Sequence, residues 1–181
     1  MPHVRRDTAA GLFHVATHCV WAAPSLYRDS HDRLEFLRHV ARVTAKFQWT
    51  CVAYCLMSSH YHLIVDVDDG VLPRAMHSLN LAYARHHNRR YALRGHVQFR
   101  RYGAWRIDDD GDLLVRFRYV VRNPVSAGLC AGPADWPWSS YAGTVGLASS
   151  ASFVDASRLL RAMARPGLDA EALLRRSVEM S

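Results

Sequence analysis

Two histidines occupy alternate positions of an apolar run in "MSSHYHLIVD", residues 57–66. Alternate side chains of a strand share a face, so His60 and His62 point one way while Tyr61, Leu63 and Val65 point the other. The two side chains start roughly 7 Å apart, close enough for both rings to converge on one ion. Neutral imidazole is the commonest metal ligand near pH 7. Two ligands leave a site incomplete, so a third donor must come from elsewhere. The bland alternative is a pair of solvated polar residues on an exposed edge.

A third donor and a nucleophile are both available in "DLLVRFRYVVRNP", residues 112–124. On a helical wheel Leu113, Leu114, Phe117, Val120 and Val121 share one arc and form the core side. Asp112, Arg116, Tyr119 and Asn123 fall on the opposite arc. Tyr119 and Asn123 are one turn apart on the same face. A tyrosine that only filled the core would join Phe117 and Val121, and this one does not. Tyr83 is the competing phenol, but it shares a stripe with Leu72, Ala75, Met76, Leu79 and Ala82 and reads as core. Tyr91 lies off that stripe near the helix end, as a surface or base-stacking residue.

The elements that must position these groups follow from periodicity and punctuation. A first strand is expected at about 12–21. A helix spans about 30–47, capped by Ser30, with Leu34, Leu37, Val40 and Ala41 on one face. Strands at about 49–57 and 60–67 form a hairpin around Ser58-Ser59. "DDG" at 68–70 closes that strand, and Pro73 sits in the first turn of a helix running to about 91. "GHVQFRRYGAWRI" is short, extended or irregular, and basic. A helix follows at about 111–122, stopped before Pro124. The order predicts an α+β fold, an antiparallel sheet backed by helices. Residues 1–145 form the main domain and 146–181 a C-terminal extension, expected to be partly helical.

At 181 residues with 50% hydrophobic and 22% charged content, the chain suits a single folded domain with a sizeable core. The net charge is +7, and Lys46 is the single lysine among 23 basic residues. Arginine matches phosphate with a planar fork of donors, so the excess points to nucleic acid, although a genome-wide preference for arginine accounts equally for the Arg-for-Lys choice. Between Arg85 and Arg122 stand ten arginines and four aspartates, the acids bunched at 108–112. Tyr61, Phe99, Tyr102 and Trp105 interleave with them as surfaces for unpaired bases. The alternative for this segment is an ordinary solvated face.

Cys19, Cys51, Cys55 and Cys130 have neither disulfide-scaffold nor zinc spacing, so a reducing, cytoplasmic setting is expected. His14, Thr17 and His18 interrupt the apolar opening, which reads as a strand rather than a signal peptide. No run approaches the roughly 18 apolar residues of a membrane span.

"MSSHYHLIV" resembles the HUH motif of single-strand DNA nucleases. "RYVVRNPVSAGL" followed by "WPWSSY" resembles the C-terminal signature of the REP-associated tyrosine transposases, a branch of the single-tyrosine HUH transposases. "HHNRRYALRGHVQFRRY" is similar to the basic stretch between those motifs. The resemblance covers roughly residues 10–145 and implies a ferredoxin-like or RRM-like HUH nuclease fold. It implies that His60 and His62, with Asn123, bind Mg²⁺ or Mn²⁺ and that Tyr119 is the nucleophile, giving a 5′-phosphotyrosine. The implied partner is single-stranded DNA with palindromic hairpins, and the chain would act as a monomer or homodimer. Arg85, Arg89, Arg90, Arg94, Arg100, Arg101, Arg106, Arg116 and Arg122 are the DNA-binding candidates. Two departures stand out: Ser58-Ser59 replaces the family's Pro-Asn, and Tyr61 replaces an aliphatic residue. Neither removes a ligand.

Two other functions compete. A non-cleaving hairpin-binding protein would keep the fold and basic surface, but the intact His60, His62, Tyr119 and Asn123 argue against decay. A phosphoesterase would want a second histidine motif, for which His14 and His18, spaced by four, are a poor pair. A structural zinc protein does not fit the cysteine spacing.

Overall fold

The computed structural model describes residues 9–18, 25–92 and 101–180. In chain order these form β1 (Gly11–His18), α1 (Ser30–Phe47), β2 (Thr50–Leu56), β3 (His60–Val67), α2 (Val71–Arg90), β4 (Gly103–Ile107) and α3 (Asp110–Ser126). A 3-10 turn (Pro133–Asp135) and the helices α4 (Tyr141–Thr144), α5 (Ser157–Met163) and α6 (Ala170–Glu179) complete the chain. The strands make one sheet in the order β2-β3-β1-β4, each neighbouring pair antiparallel. This βαββαβ topology is ferredoxin-like, and the α+β class expected from the sequence is what the chain adopts.

Strand alternation divides the core into two layers. Phe13, Val15, Tyr61, Leu63 and Val65 face α1 and α2, where Phe36, Val40, Met76, Leu79 and Tyr83 meet them. Leu12, Ile64 and Ile107 face the other way, against Leu113, Phe117, Val120 and Val121 of α3. His60 and His62 share the parity of Ile64 and therefore lie on the α3 side. Tyr61 goes to the opposite layer, where it is fully buried and donates to Asn80 Oδ1 at 2.5 Å. Its ring is thus unavailable for stacking on a base.

Several boundaries differ from expectation. The strand predicted to reach residue 21 is described to His18, and residues 19–21 lie outside the described residues. The cap of α1 is Asp29 rather than Ser30: its carboxylate accepts the Asp32 N–H at 3.0 Å. Serine and aspartate cap about equally well, so the sequence alone does not separate the two. Leu34 is 48% exposed, and Phe36, Val40 and Val43 carry the buried stripe of α1 instead. The helix α3 continues through Pro124 to Ser126. Proline removes one backbone bond in that last turn, and burial of its ring against the core offsets the loss.

The far edge of β2 is covered by the chain that follows α3. Leu56 N–H donates to Trp138 O at 2.8 Å, Ser140 N–H to Tyr54 O at 3.0 Å and Asp155 N–H to Cys51 O at 2.9 Å. Here "WPWSSY" blunts an edge that would otherwise offer unpaired backbone groups.

Candidate functional site

The β1–β3 register sets His18 opposite His60 and Ala16 opposite His62. His14, one step further along β1, shares their face. Its Nε2 lies 2.9 Å from His62 Nδ1, and the two rings stack at 5.1 Å. The rings of His60 and His62 are 5.0 Å apart and nearly perpendicular, and His18 stacks on His60 at 4.5 Å. Four imidazoles therefore form one continuous band across two strands. From β4, Trp105 stacks on His14 at 5.2 Å. A Cβ at Gly103 would meet the indole at 2.6 Å, so the glycine is what lets that ring lie over the strand.

Tyr119 reaches the band from α3. Its ring stands edge-on at 5.7 Å from both His14 and His62, and it remains 55% exposed. The core stripe of α3 fixes this placement: with Phe117, Val120 and Val121 buried, residue 119 must overhang the flank nearest the histidines. Asn123 sits one turn on, and its amide donates to Tyr119 O at 2.7 Å. Together with Val115, Arg118, Tyr119, Arg122 and Ser126 it lines a shallow depression along α3.

Burial holds His14, His60 and His62 neutral. His62 is lowered to about 3, by burial first and then by His14, His60 and His18. His14 is lowered to about 4, by burial and by Arg116, and His60 to about 4, by burial and by His18. Their lone pairs are accordingly available at neutral pH. His62 Nε2 is buried with no hydrogen-bond partner. Leaving such a nitrogen unsatisfied costs on the order of 1–3 kcal/mol, so this atom suits a ligand to a cation. On the opposite layer of the sheet, a second group of donors gathers Glu35, His39 and His86.

The arginine candidates do not form one surface. Arg85 and Arg89 are exposed on α2, on the layer facing away from Tyr119. Arg90 is clasped to Asp32 and, at 2.6 Å, to Asp29. Arg101 is exposed. Arg106 on β4 lies 3.5 Å from Asp108. Arg116 pairs with Asp112 at 3.2 Å, and Arg122 donates to Val178 O at 2.7 Å in the C-terminal helix. Arg94, Arg100 and Phe99 lie outside the described residues. Tyr91, expected to be a surface ring, donates to Asp32 at 2.7 Å beneath the Arg28 guanidinium. Tyr83 is core as expected, donating to Leu26 O at 3.0 Å.

Sequence reasoning missed His14 and His18, which the fold joins to His60 and His62. The spacing of four makes them a poor histidine motif by themselves, but in a strand it keeps both side chains on one face. That parity was the available signal; the pairing of β1 with β3 was not.

The family profile described as Transposase IS200 like matches residues 12–123, a span that includes both the histidine pair and Tyr119. A Haemophilus influenzae protein bearing the name REP-associated tyrosine transposase is 26% identical over 153 residues, which cover 78% of this chain and 86% of that one. A solved structure of a REP-associated tyrosine transposase bound to a REP hairpin aligns with a TM-score of 0.68 at 18% identity. It covers 86% of this chain and 94% of that one, a likeness of fold.

Proposed function

The chain belongs to the IS200-like transposase family, and from that membership we propose that it cuts and rejoins single-stranded DNA folded into short imperfect hairpins. The observation that carries this reading is the approach of a late helical phenol to imidazoles of two strands, with Tyr119 at 5.7 Å from His62 and from His14. The REP hairpin bound by the transposase of similar fold supports the substrate class.

Tyr119 attacks the scissile phosphorus through its phenol oxygen, and the P–O3′ bond breaks as the new O–P bond forms. The phenol proton passes to solvent and the departing oxygen takes one up, giving a 5′-phosphotyrosine and a free 3′-hydroxyl. The ester is retained in the protein–DNA link, so a different 3′-hydroxyl can reverse the step and join strands. His60 and His62 serve as ligands and not as bases. A ring whose conjugate acid titrates at about 3 is a poor acceptor for any phenol, whose ordinary value is near 10. Mg²⁺ or Mn²⁺ held there, with Asn123 as the proposed third donor, would draw charge from a non-bridging phosphate oxygen.

His14 positions His62. For Nε2 of a neutral His62 to face a cation, the ring proton must sit on Nδ1, and His14 Nε2 at 2.9 Å accepts it. Arg116 and Arg122, on the helix of Tyr119, are assigned to charge developing at the phosphate. Arg101 is assigned to a backbone contact, which orients DNA without reading its sequence, while Arg85 and Arg89 face the layer away from Tyr119 and take no part there.

The test is incubation of a labelled single-stranded hairpin with the protein and Mn²⁺, followed by denaturing electrophoresis. The wild-type chain is expected to give a covalent adduct, and Tyr119→Phe to give none while binding the hairpin within a few-fold. An adduct that survives in Tyr119→Phe assigns the nucleophile elsewhere. A wild-type chain that binds but forms no adduct is the non-cleaving alternative.

A further inference from the structure

Three donors project from α1 at intervals of one turn: His31, Glu35 and His39. They face α2, the helix packed beside α1 on the layer of the sheet remote from Tyr119. His86 approaches them from α2. One ligand atom each of Glu35, His39 and His86 lies within 4.8 Å of the others, and the His86 ring is 6.0 Å from His31 and 6.2 Å from His39. We propose that Glu35, His39 and His86 bind a divalent transition ion of the Zn²⁺ class that ties α1 to α2.

The geometry needs little adjustment. Ligand nitrogens about 2.05 Å from a tetrahedral Zn²⁺ stand roughly 3.4 Å apart. Three side chains sharing a contraction of at most about 1.4 Å reach that spacing by small rotations. The rings also lack another use for the atoms concerned: His39 Nε2 and His86 Nε2 are both buried with no hydrogen-bond partner. Two orphaned imidazole nitrogens side by side are uncommon without a ligand.

Two imidazoles and one carboxylate suit a borderline ion such as Zn²⁺, Co²⁺ or Ni²⁺ better than Mg²⁺, which prefers oxygen throughout. Water or His31 completes the coordination. Arg38 competes for the carboxylate, but it engages Oε1 alone. The position fits a structural tie. One turn nearer the start of α1, Arg90 of α2 already grips Asp29 and Asp32, so the ion would extend a clasp between the same two helices.

The experiment uses the full, tag-free chain titrated with Co²⁺, read by visible absorption and equilibrium dialysis. His60→Ala/His62→Ala removes the strand pair and isolates the second site. This variant is expected to retain one Co²⁺ per chain with a low-coordinate spectrum, and Zn²⁺ is expected to raise its melting temperature. Adding His39→Gln/His86→Gln should abolish both effects, and adding Glu35→Gln alone should weaken binding by at least the roughly 10–100-fold that even an outer-shell partner contributes. Glu35→Gln also serves as the readout if circular dichroism shows the double glutamine variant to be unfolded. The proposal is overturned if the strand variant binds no Co²⁺, binds it only at millimolar concentration, or binds it unchanged after Glu35→Gln. Because the strand pair is absent from every arm, the result does not depend on DNA cleavage.

Discussion

The two ring nitrogens of His62 have different surroundings: Nδ1 faces His14 at 2.9 Å, and Nε2 is buried without a partner. A tautomer-setting role for His14 distinguishes two substitutions. His14→Phe keeps a ring and removes the acceptor, and it is expected to raise the Mn²⁺ concentration needed for adduct formation by roughly 10–100-fold. His14→Gln keeps an acceptor oxygen and should shift it less. Equal Mn²⁺ dependence in the two variants would remove His14 from the site. The same residues make stability sensitive to acid. Their folded values, about 3 for His62 and about 4 for His14 and His60, lie below the ordinary 6.5. Between those values and 6.5 the unfolded chain binds more protons, so stability is complete above about 6.5 and falls as pH drops below it. Urea midpoints of the metal-free protein should decline from about pH 6.5 toward pH 4.5, above the ordinary carboxylate range. A less steep decline is expected in His60→Ala. A midpoint flat across that interval would mean the rings are not buried as neutral groups.

At the scale of the element, α3 is what brings Tyr119 to the histidines of the sheet, and its start is capped by a single side chain. The Asp109 carboxylate accepts the Asp112 N–H at 2.8 Å, while Asp110 and Asp112 place negative charge in the first turn. Asp109→Ala should cost about 1 kcal/mol, measured by urea denaturation, and Asp109→Ser should recover most of it. An unchanged midpoint in Asp109→Ala would show that tertiary packing alone fixes the start of α3. Its buried stripe was legible because Leu113, Phe117, Val120 and Val121 repeat at helical spacing with no competing pattern. The stripe of α1 was not, because Leu34, Leu37 and Ala41 trace one arc and Phe36, Val40 and Val43 an overlapping one. Only the sheet beneath selects between them.

For the whole molecule, the chain beyond residue 145 is seated on α3. Leu159, Leu174 and Val178 are buried with Phe117 and Val121, and Arg122 donates to the carbonyl of Val178. Leu174→Ala should cost about 2–5 kcal/mol, as burial of a leucine in a shared core requires. A cost under about 1 kcal/mol would mean that α6 is not docked in solution. The basic residues are likewise an outcome of the fold. Read along the chain they form one dense stretch, yet Arg85 and Arg89 stand on the layer opposite Arg116 and Arg122. Among the described residues no helix is long and apolar enough to cross a membrane.

The sequence by itself determined the strands and helices up to α3 apart from β4, which it left extended or irregular, together with the α+β class, the shared face of His60 and His62, and the polar flank that carries Tyr119. Each of these is a matter of local periodicity, and two residues per strand repeat or 3.6 per helical turn can be counted without coordinates. Only the tertiary structure decided that β1 lies beside β3, and with it that His14 and His18 join the imidazole band. It also decided that His86 crosses to Glu35 and His39, and that Arg90 and Tyr91 are taken up by Asp32. All of these contacts join residues distant in the chain, and their partners are set by which strands and helices pack together, a choice that local spacing does not encode.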